Sequence, residues 1–309
     1  GGQGPDAPDG NVARRLGAHR QAAEAHRPEP EELEAVNAAL YLRRPLLVTG
    51  YPGTGKSTLA HAVAHELKLG RVLRWPVVSR TVLQEGLYRY DAIARLQDVQ
   101  IAAGGAAGGA GGAGGGASGG ASGIGKYIRL GPLGTALLPT ARPRVLLIDE
   151  LDKSDIDLPN DLLNVLEEGE FTLPELERVA DTEPEVRVVT DDGAKVTVRD
   201  GRVRCRAFPF IVLTSNGERD FPAALLRRCI QLKLGQPGEK RLATMVRAHL
   251  GEEAARLGAD LIREFLSRSR TELVAADQLL NAIYLTHYAA PPTREDLADL
   301  LIQRLDRPR

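Results

Sequence analysis

Gly50-Tyr51-Pro52-Gly53-Thr54-Gly55-Lys56-Ser57 carries the plainest chemical instruction in this sequence. It fits the pattern G-x-x-x-x-G-K-[ST]. The apolar run Pro45-Leu46-Leu47-Val48-Thr49 before it reads as a buried strand, and residues 56–67 after it read as a helix. Strand, glycine loop and helix in that order form a phosphate cradle. The glycines let successive backbone N–H groups turn toward phosphate oxygens, and the helix start adds the positive end of its dipole. Lys56 offers a point charge to the β- and γ-phosphates, and the Ser57 hydroxyl suits Mg2+. Residues 50–58, ending at Thr58, are therefore the expected nucleotide-binding segment, with ATP and Mg2+ as its ligands. A chance match to this pattern in such a chain is on the order of one in a hundred at ordinary glycine frequency.

Three further stretches fit the same chemistry. Val145-Leu146-Leu147-Ile148-Asp149-Glu150 is a buried strand that delivers two carboxylates at its C-terminal end, the edge where ligands gather in open parallel sheets. Asp149 would hold Mg2+, directly or through water, and Glu150 would polarise the attacking water as a general base. The bland alternative is a solvated acidic turn, since Asp152, Asp155 and Asp157 follow; these later acids read as helix-capping and surface residues. Phe210-Ile211-Val212-Leu213-Thr214-Ser215-Asn216 is a second apolar strand ending in polar groups. The amide of Asn216 could meet the γ-phosphate or orient the water; the alternative is an ordinary turn asparagine. Arg227 and Arg228 could act on a neighbouring subunit's γ-phosphate, with Arg228 ahead of Arg227, or serve as surface ion-pair residues.

Composition bounds the function. The 309 residues carry a net charge of −1 and are 43% hydrophobic, enough for one large domain or two smaller ones. Near-neutral charge disfavours a protein whose main task is coating nucleic acid. No apolar run approaches the roughly 18–20 residues needed to cross a bilayer. The first ten residues lack the order of a signal peptide, so the expected location is cytoplasmic. Cys205 and Cys229 form neither a CxxC pair nor a disulfide framework.

Organisation follows from the breaks in pattern. Residues 1–30 read as a mobile tail and 31–42 as a helix begun by Pro30 and acids. Residues 72–77 read as a strand and 81–100 as a helix. Residues 102–123 contain only Ala, Gly, Ser and the final Gly123, a low-complexity linker inside the core. A helix is expected near 157–167. Residues 186–205 alternate around two Asp-Gly turns and read as a β-hairpin insertion. Beyond Gln236-Pro237-Gly238 the pattern is helical throughout, over 239–250, 252–268, 274–288 and 294–305. The expectation is α/β: a nucleotide-binding core with a parallel sheet at 31–235, then a small all-helical lid at 236–309.

The four motifs, in this order, resemble those of AAA+ ATPases: Walker A at residues 50–57, Walker B at 145–150, sensor 1 at Asn216 and an arginine finger near Arg228. The text between them is similar to the MoxR branch, in Tyr127-Ile128-Arg129-Leu130-Gly131-Pro132-Leu133, in Asp149-Glu150-Leu151-Asp152-Lys153-Ser154, in Pro159-Asn160-Asp161-Leu162-Leu163 and in Thr214-Ser215-Asn216-Gly217. The resemblance implies an αβα core with a helical lid. It also implies a homo-oligomeric ring, a hexamer by family habit, that remodels or activates protein partners. A protein with a von Willebrand factor A domain is among the candidate partners. Two departures stand out. The low-complexity run replaces the family's insert in its second core helix. Gln278, within Ala276-Asp277-Gln278, stands where the sensor 2 arginine would fall.

Three outputs remain open on the sequence: a protein-remodelling ATPase, a nucleotide-driven switch or scaffold with little turnover, and a motor or loader on nucleic acid. The first is favoured, and the last is disfavoured by charge and by the lack of a recognisable DNA-reading module.

Overall fold

The computed structural model describes residues 28–106, 123–236, 238–268, 279–280 and 282–284. Helix α1 spans Pro30–Leu42, with Pro at its first position and Glu31 and Glu32 in its first turn. Strand β1 (Leu46–Gly50) leads through the glycine loop into α2 (Lys56–Glu66). There follow β2 (Leu73–Pro76), α3 (Leu83–Leu87), β3 (Tyr88–Tyr90) and α4 (Ala92–Ala106). After a 3-10 turn at Ile124–Tyr127 come β4 (Ile128–Leu130), α5 (Pro132–Ala136), β5 (Val145–Asp149), α6 (Asp157–Glu168), β6 (Glu170–Thr172) and α7 (Pro174–Glu177). Strands β7 (Glu185–Val189), β8 (Lys195–Arg199), β9 (Arg202–Arg204) and β10 (Phe210–Ser215) precede α8 (Ala223–Arg228) and β11 (Ile230–Leu234). Helices α9 (Glu239–Leu250), α10 (Glu252–Leu257) and α11 (Ala259–Arg268) follow.

Among the described residues two sheets form. The first has the order β11-β1-β10-β5-β2, and all its pairs are parallel. Its central strands are buried on both faces, which is why they read as unbroken apolar runs. Leu46, Val48, Val145, Leu147, Phe210 and Val212 pack with Val36 and Ala39 of α1 and Leu59, Ala60 and Val63 of α2. The intervening residues Leu47, Leu146, Ile148, Ile211 and Leu213 share a second cluster with α5, α6 and the second sheet. That second sheet has the order β3-β4-β7-β8-β9-β6 and is mostly antiparallel. Its inner residues, among them Ile128, Leu130, Phe171, Val186, Val188, Val198 and Val203, join the core, and alternate residues face out. Residues of α9, α10 and α11 gather around Leu242, Val246, Ile262 and Phe265, with Leu279 and Ile283, in a separate apolar cluster.

Several expectations change. The helix expected over 81–100 is interrupted by β3, whose Tyr88 is buried and donates to Glu175 Oε2 at 2.9 Å. Burial, with that bond, pushes the Tyr88 phenol up to about 12. The low-complexity stretch is not all linker: α4 runs through it as far as Ala106, consistent with alanine's high helix propensity. Residues 107–122 lie outside the described residues, as do the tail at 1–27 and most of 269–309, including Gln278. The hairpin at 186–205 is three strands of a larger sheet to which distant β3, β4 and β6 contribute. The helix expected over 252–268 is two, divided at Gly258. β11 was not expected; its Ile-Gln-Leu-Lys-Leu alternation is the pattern of an edge strand buried on one face.

The close packing of α5 against the end of α3 needs a residue without a side chain. A Cβ on Gly134 would stand 2.0 Å from the Leu87 carbonyl oxygen. We expect Gly134→Ala to lower unfolding free energy by about 1–3 kcal/mol in urea titration. Gly235→Ala, where a Cβ meets nothing within 4 Å, is the control and should leave stability nearly unchanged.

Candidate active site

Strand order brings the candidate motifs together. β10 lies between β1 and β5, with Thr49 opposite Ser215 and Ile148 opposite Leu213. The C-terminal ends of these three parallel strands therefore form one edge. It carries the glycine loop after β1, Asp149 and Glu150 at the end of β5, and Asn216 just beyond β10.

The loop from Gly50 to Gly55 turns through left-handed backbone at Gly53 (φ +76°) and Gly55 (φ +90°), conformations that a side chain disfavours. Tyr51 and Pro52 are exposed, while Thr54 is buried, its hydroxyl donating to the Tyr51 carbonyl at 2.9 Å. Gly55 is the N-cap of α2 and carries no side-chain cap. Lys56 is buried at the first position of α2. Its Nζ donates to the carbonyls of Gly50 (2.7 Å) and Tyr51 (2.9 Å) and to Asn216 Oδ1 (2.7 Å). The lysine of the first motif and the amide of the third are thus in direct contact across 160 residues. Ser57 and Thr58 follow on the first turn of α2, both half-buried.

The side chain of Asp149 is 9% exposed. Its Oδ1 accepts from Ser57 Oγ and Thr214 Oγ1, each at 2.8 Å. Its Oδ2 accepts from Arg74 Nη2 at 2.7 Å and Nε at 3.2 Å. Burial raises its pKa, but the hydrogen bonds of Ser57, Arg74 and Thr214, with the Arg74 charge, outweigh that and hold the carboxyl below its ordinary range. Glu150 sits in left-handed backbone at φ +61°. Its N–H donates to Thr214 Oγ1 at 2.8 Å, and its carboxylate, 43% exposed, pairs with Lys153 at 2.7 Å. Side by side, a hydroxyl and a carboxylate offer hard oxygen ligands of the kind Mg2+ takes, so Ser57 and Asp149 fit the metal.

Four residues were not singled out by sequence reasoning. Thr214 links Asp149 to the Glu150 backbone; its signal was a hydroxyl inside an apolar run. Arg74 reaches Asp149 from the edge strand β2, and nothing in the sequence marks it. Asp152, expected as a capping or surface acid, is instead 2% exposed. Its Oδ2 accepts the N–H groups of Asn216 (2.9 Å) and Glu218 (3.1 Å), so it fixes the turn that presents Asn216. Arg241 pairs at 2.7 Å with Glu32 of α1, whose side chain is 3% exposed. Its Nη2 lies 3.6 Å from where a Cβ on Gly55 would be, which places α9 beside the glycine loop.

Arg227 and Arg228 end α8. Arg227 Nε donates to the Ala223 carbonyl at 3.2 Å, and Arg228 pairs with Glu167 at the end of α6. Among the described residues neither joins the glycine loop of its own chain. Cys205 and Cys229 are free thiols, and burial pushes the Cys229 thiol up to about 12.

A parallel αβ core with a glycine loop between β1 and α2, two acids at the end of β5 and an amide beyond β10 defines a P-loop nucleotide-binding protein. Residues 45–229 match the family described as AAA domain (dynein-related subfamily), and the chain belongs to that family of P-loop ATPases. Among solved structures the chain is similar to NtrX from Brucella abortus in complex with ADP, at 13% identity and a TM-score of 0.46. That likeness covers 92% of this chain and 57% of NtrX, so this chain spans little more than half of that protein. No curated protein sequence matches it.

If Asp152 fixes the Asn216 turn, Asp152→Ala leaves two partly buried N–H groups without their acceptor. We expect a loss of about 1–3 kcal/mol in denaturant unfolding, together with a fall in ATP turnover larger than any change in nucleotide affinity. Unchanged stability and turnover would show that the turn holds itself.

Proposed function

We propose that this chain hydrolyses ATP with Mg2+ in an oligomeric ring and uses the cycle to remodel or activate a protein partner. The observation that carries the reading is the Lys56–Asn216 contact beside the Ser57–Asp149 contact. A phosphate-binding lysine, a metal-type oxygen pair, an acid and an amide converge on one sheet edge.

In this reading Lys56 exchanges its carbonyl partners for phosphate oxygens, and the loop N–H groups hold the remainder of the phosphate chain. Ser57 and Asp149 would hold the cation, whose charge would offset that of the phosphates. Glu150 takes the proton of the attacking water, and Asn216 positions that water or the γ-phosphate. Arg228, with Arg227 beside it, approaches the next subunit's nucleotide, which accounts for its lying away from its own chain's loop. Hydrolysis then requires assembly. The MoxR-like text around the motifs supports a hexameric ring and a protein client, one with a von Willebrand factor A domain being a candidate. A second reading, a nucleotide-driven switch with little turnover, is favoured by one contact: Lys153 already engages the Glu150 carboxylate.

The test is ATPase rate per subunit against protein concentration. A rate that climbs with concentration, and falls by about 100-fold or more in Glu150→Gln and steeply in Arg228→Ala, supports a ring with a trans arginine. Normal turnover by Glu150→Gln would remove the assigned base. Lys56→Ala should lose nucleotide affinity in a fluorescence titration, and unchanged affinity would remove the phosphate site. ATP bound with no turnover at any concentration would favour the switch.

A further inference from the structure

Arg74 lies on β2, the edge strand that pairs with β5. In that register Arg74 stands opposite Leu147 and Pro76 opposite Asp149, so Asp149 is the diagonal neighbour, within reach of a long side chain. Leu73 and Trp75 are buried and Arg74 is not; its side chain is 52% exposed, yet its guanidinium turns onto Asp149 Oδ2 through both Nε and Nη2. The carboxylate is divided between two kinds of partner. Oδ1 serves the hydroxyls of Ser57 and Thr214, which also tie α2 and β10 to β5, whereas Oδ2 serves Arg74.

With Oδ1 already accepting two hydroxyl hydrogen bonds, Oδ2 is the oxygen left for a divalent cation at Ser57 and Asp149, as a direct ligand or as the acceptor for a cation-bound water. The cation would also feel the guanidinium charge that Oδ2 now holds at 2.7 Å. We propose that Arg74 is a positioning residue that competes with the divalent cation for Asp149, so that guanidinium and metal are alternative counter-charges of one carboxylate. The inference rests on the metal role assigned above to Ser57 and Asp149. The exposed arginine is the partner able to yield, because it swings into water at little cost. The buried aspartate, fixed by two hydroxyls, stays where it is. A bound nucleotide favours the exchange, since its phosphates offer the guanidinium another anion and the cation more oxygen ligands. Arg74 thereby couples the two ligands: metal binds poorly before nucleotide and well after it, and by reciprocity metal tightens nucleotide.

The experiment is Mn2+ titration of the full chain, with free Mn2+ read by electron paramagnetic resonance, with and without ADP. Wild type is compared with Arg74→Ala and Arg74→Lys. Without nucleotide, Arg74→Ala should bind Mn2+ about tenfold more tightly than wild type, and the gain in Mn2+ affinity on adding ADP should shrink by a similar factor. Arg74→Lys, which keeps the charge and loses the fork, should fall between them. Melting temperature separates this from a merely structural role. Loss of a structural ion pair lowers it in Arg74→Ala by an amount that Mn2+ does not restore, whereas competition predicts a larger Mn2+-induced rise in the variant than in wild type. Equal or weaker Mn2+ binding by Arg74→Ala, with ADP-dependent Mn2+ binding intact, overturns the proposal and leaves the nucleotide site standing. Absence of ADP-dependent Mn2+ binding in every form overturns both.

Discussion

The carboxylate of Asp149 is the point at which four elements of the core are held in register. It ends β5, takes hydroxyl hydrogen bonds from α2 and β10, and takes a guanidinium from β2. A largely buried carboxylate would cost several kcal/mol without such partners. Each contact that compensates the charge also limits where its element can lie. Ser57 can reach Asp149 only if α2 starts close to the end of β5, which in turn limits the path of the glycine loop. Thr214 can reach it only if β10 is the neighbour of β5, and that placement brings Asn216 to Lys56. Stabilisation of the charge and assembly of the site are one set of contacts.

Glu150 shows the other side of this economy. An L-residue in left-handed backbone costs about 1–2 kcal/mol, and the turn is held by the bond from its N–H to Thr214 and by the Lys153 N–H on its carbonyl at 3.0 Å. The turn takes the chain out of the sheet immediately after Asp149 and gives adjacent acids unlike surroundings. Asp149 is enclosed and kept ionised, while Glu150 stays near solvent with a lysine beside it. In the proposed reading these adjacent carboxylates serve two tasks, Asp149 at a metal and Glu150 at water, because their surroundings differ.

The sequence made the central strands and the glycine loop legible for a simple reason. Strands buried on both faces become unbroken apolar runs, and a phosphate cradle needs glycine at set places. The polar ends of those runs, Asp149, Glu150 and Asn216, were legible by position. What could not be read depends on contacts between distant segments. Arg74 is one arginine among many until β2 is placed beside β5. Asp152 looks like the first of several solvated acids, and only the return of β10 buries it against the Asn216 turn. β3, β4 and β6 are each three residues long, too short for periodicity to declare; β4 forms by pairing with β7, β6 by pairing with β9, and β3 by pairing with β4. The Ile230–Leu234 alternation was present and unread; it is an edge strand with one wet face, unlike the runs that made the other strands obvious.

The same logic extends to the helices beyond Gly238. Their apolar cluster is their own, so their packing does not by itself fix where they stand against the core. Glu32 and Arg241 supply part of that placement. The carboxylate is enclosed in α1, the guanidinium comes from the first helix after the core, and the pair lies beside Gly55 of the phosphate loop. This pair holds α9 against α1. The contact therefore sets the first helix beyond the core next to the phosphate loop.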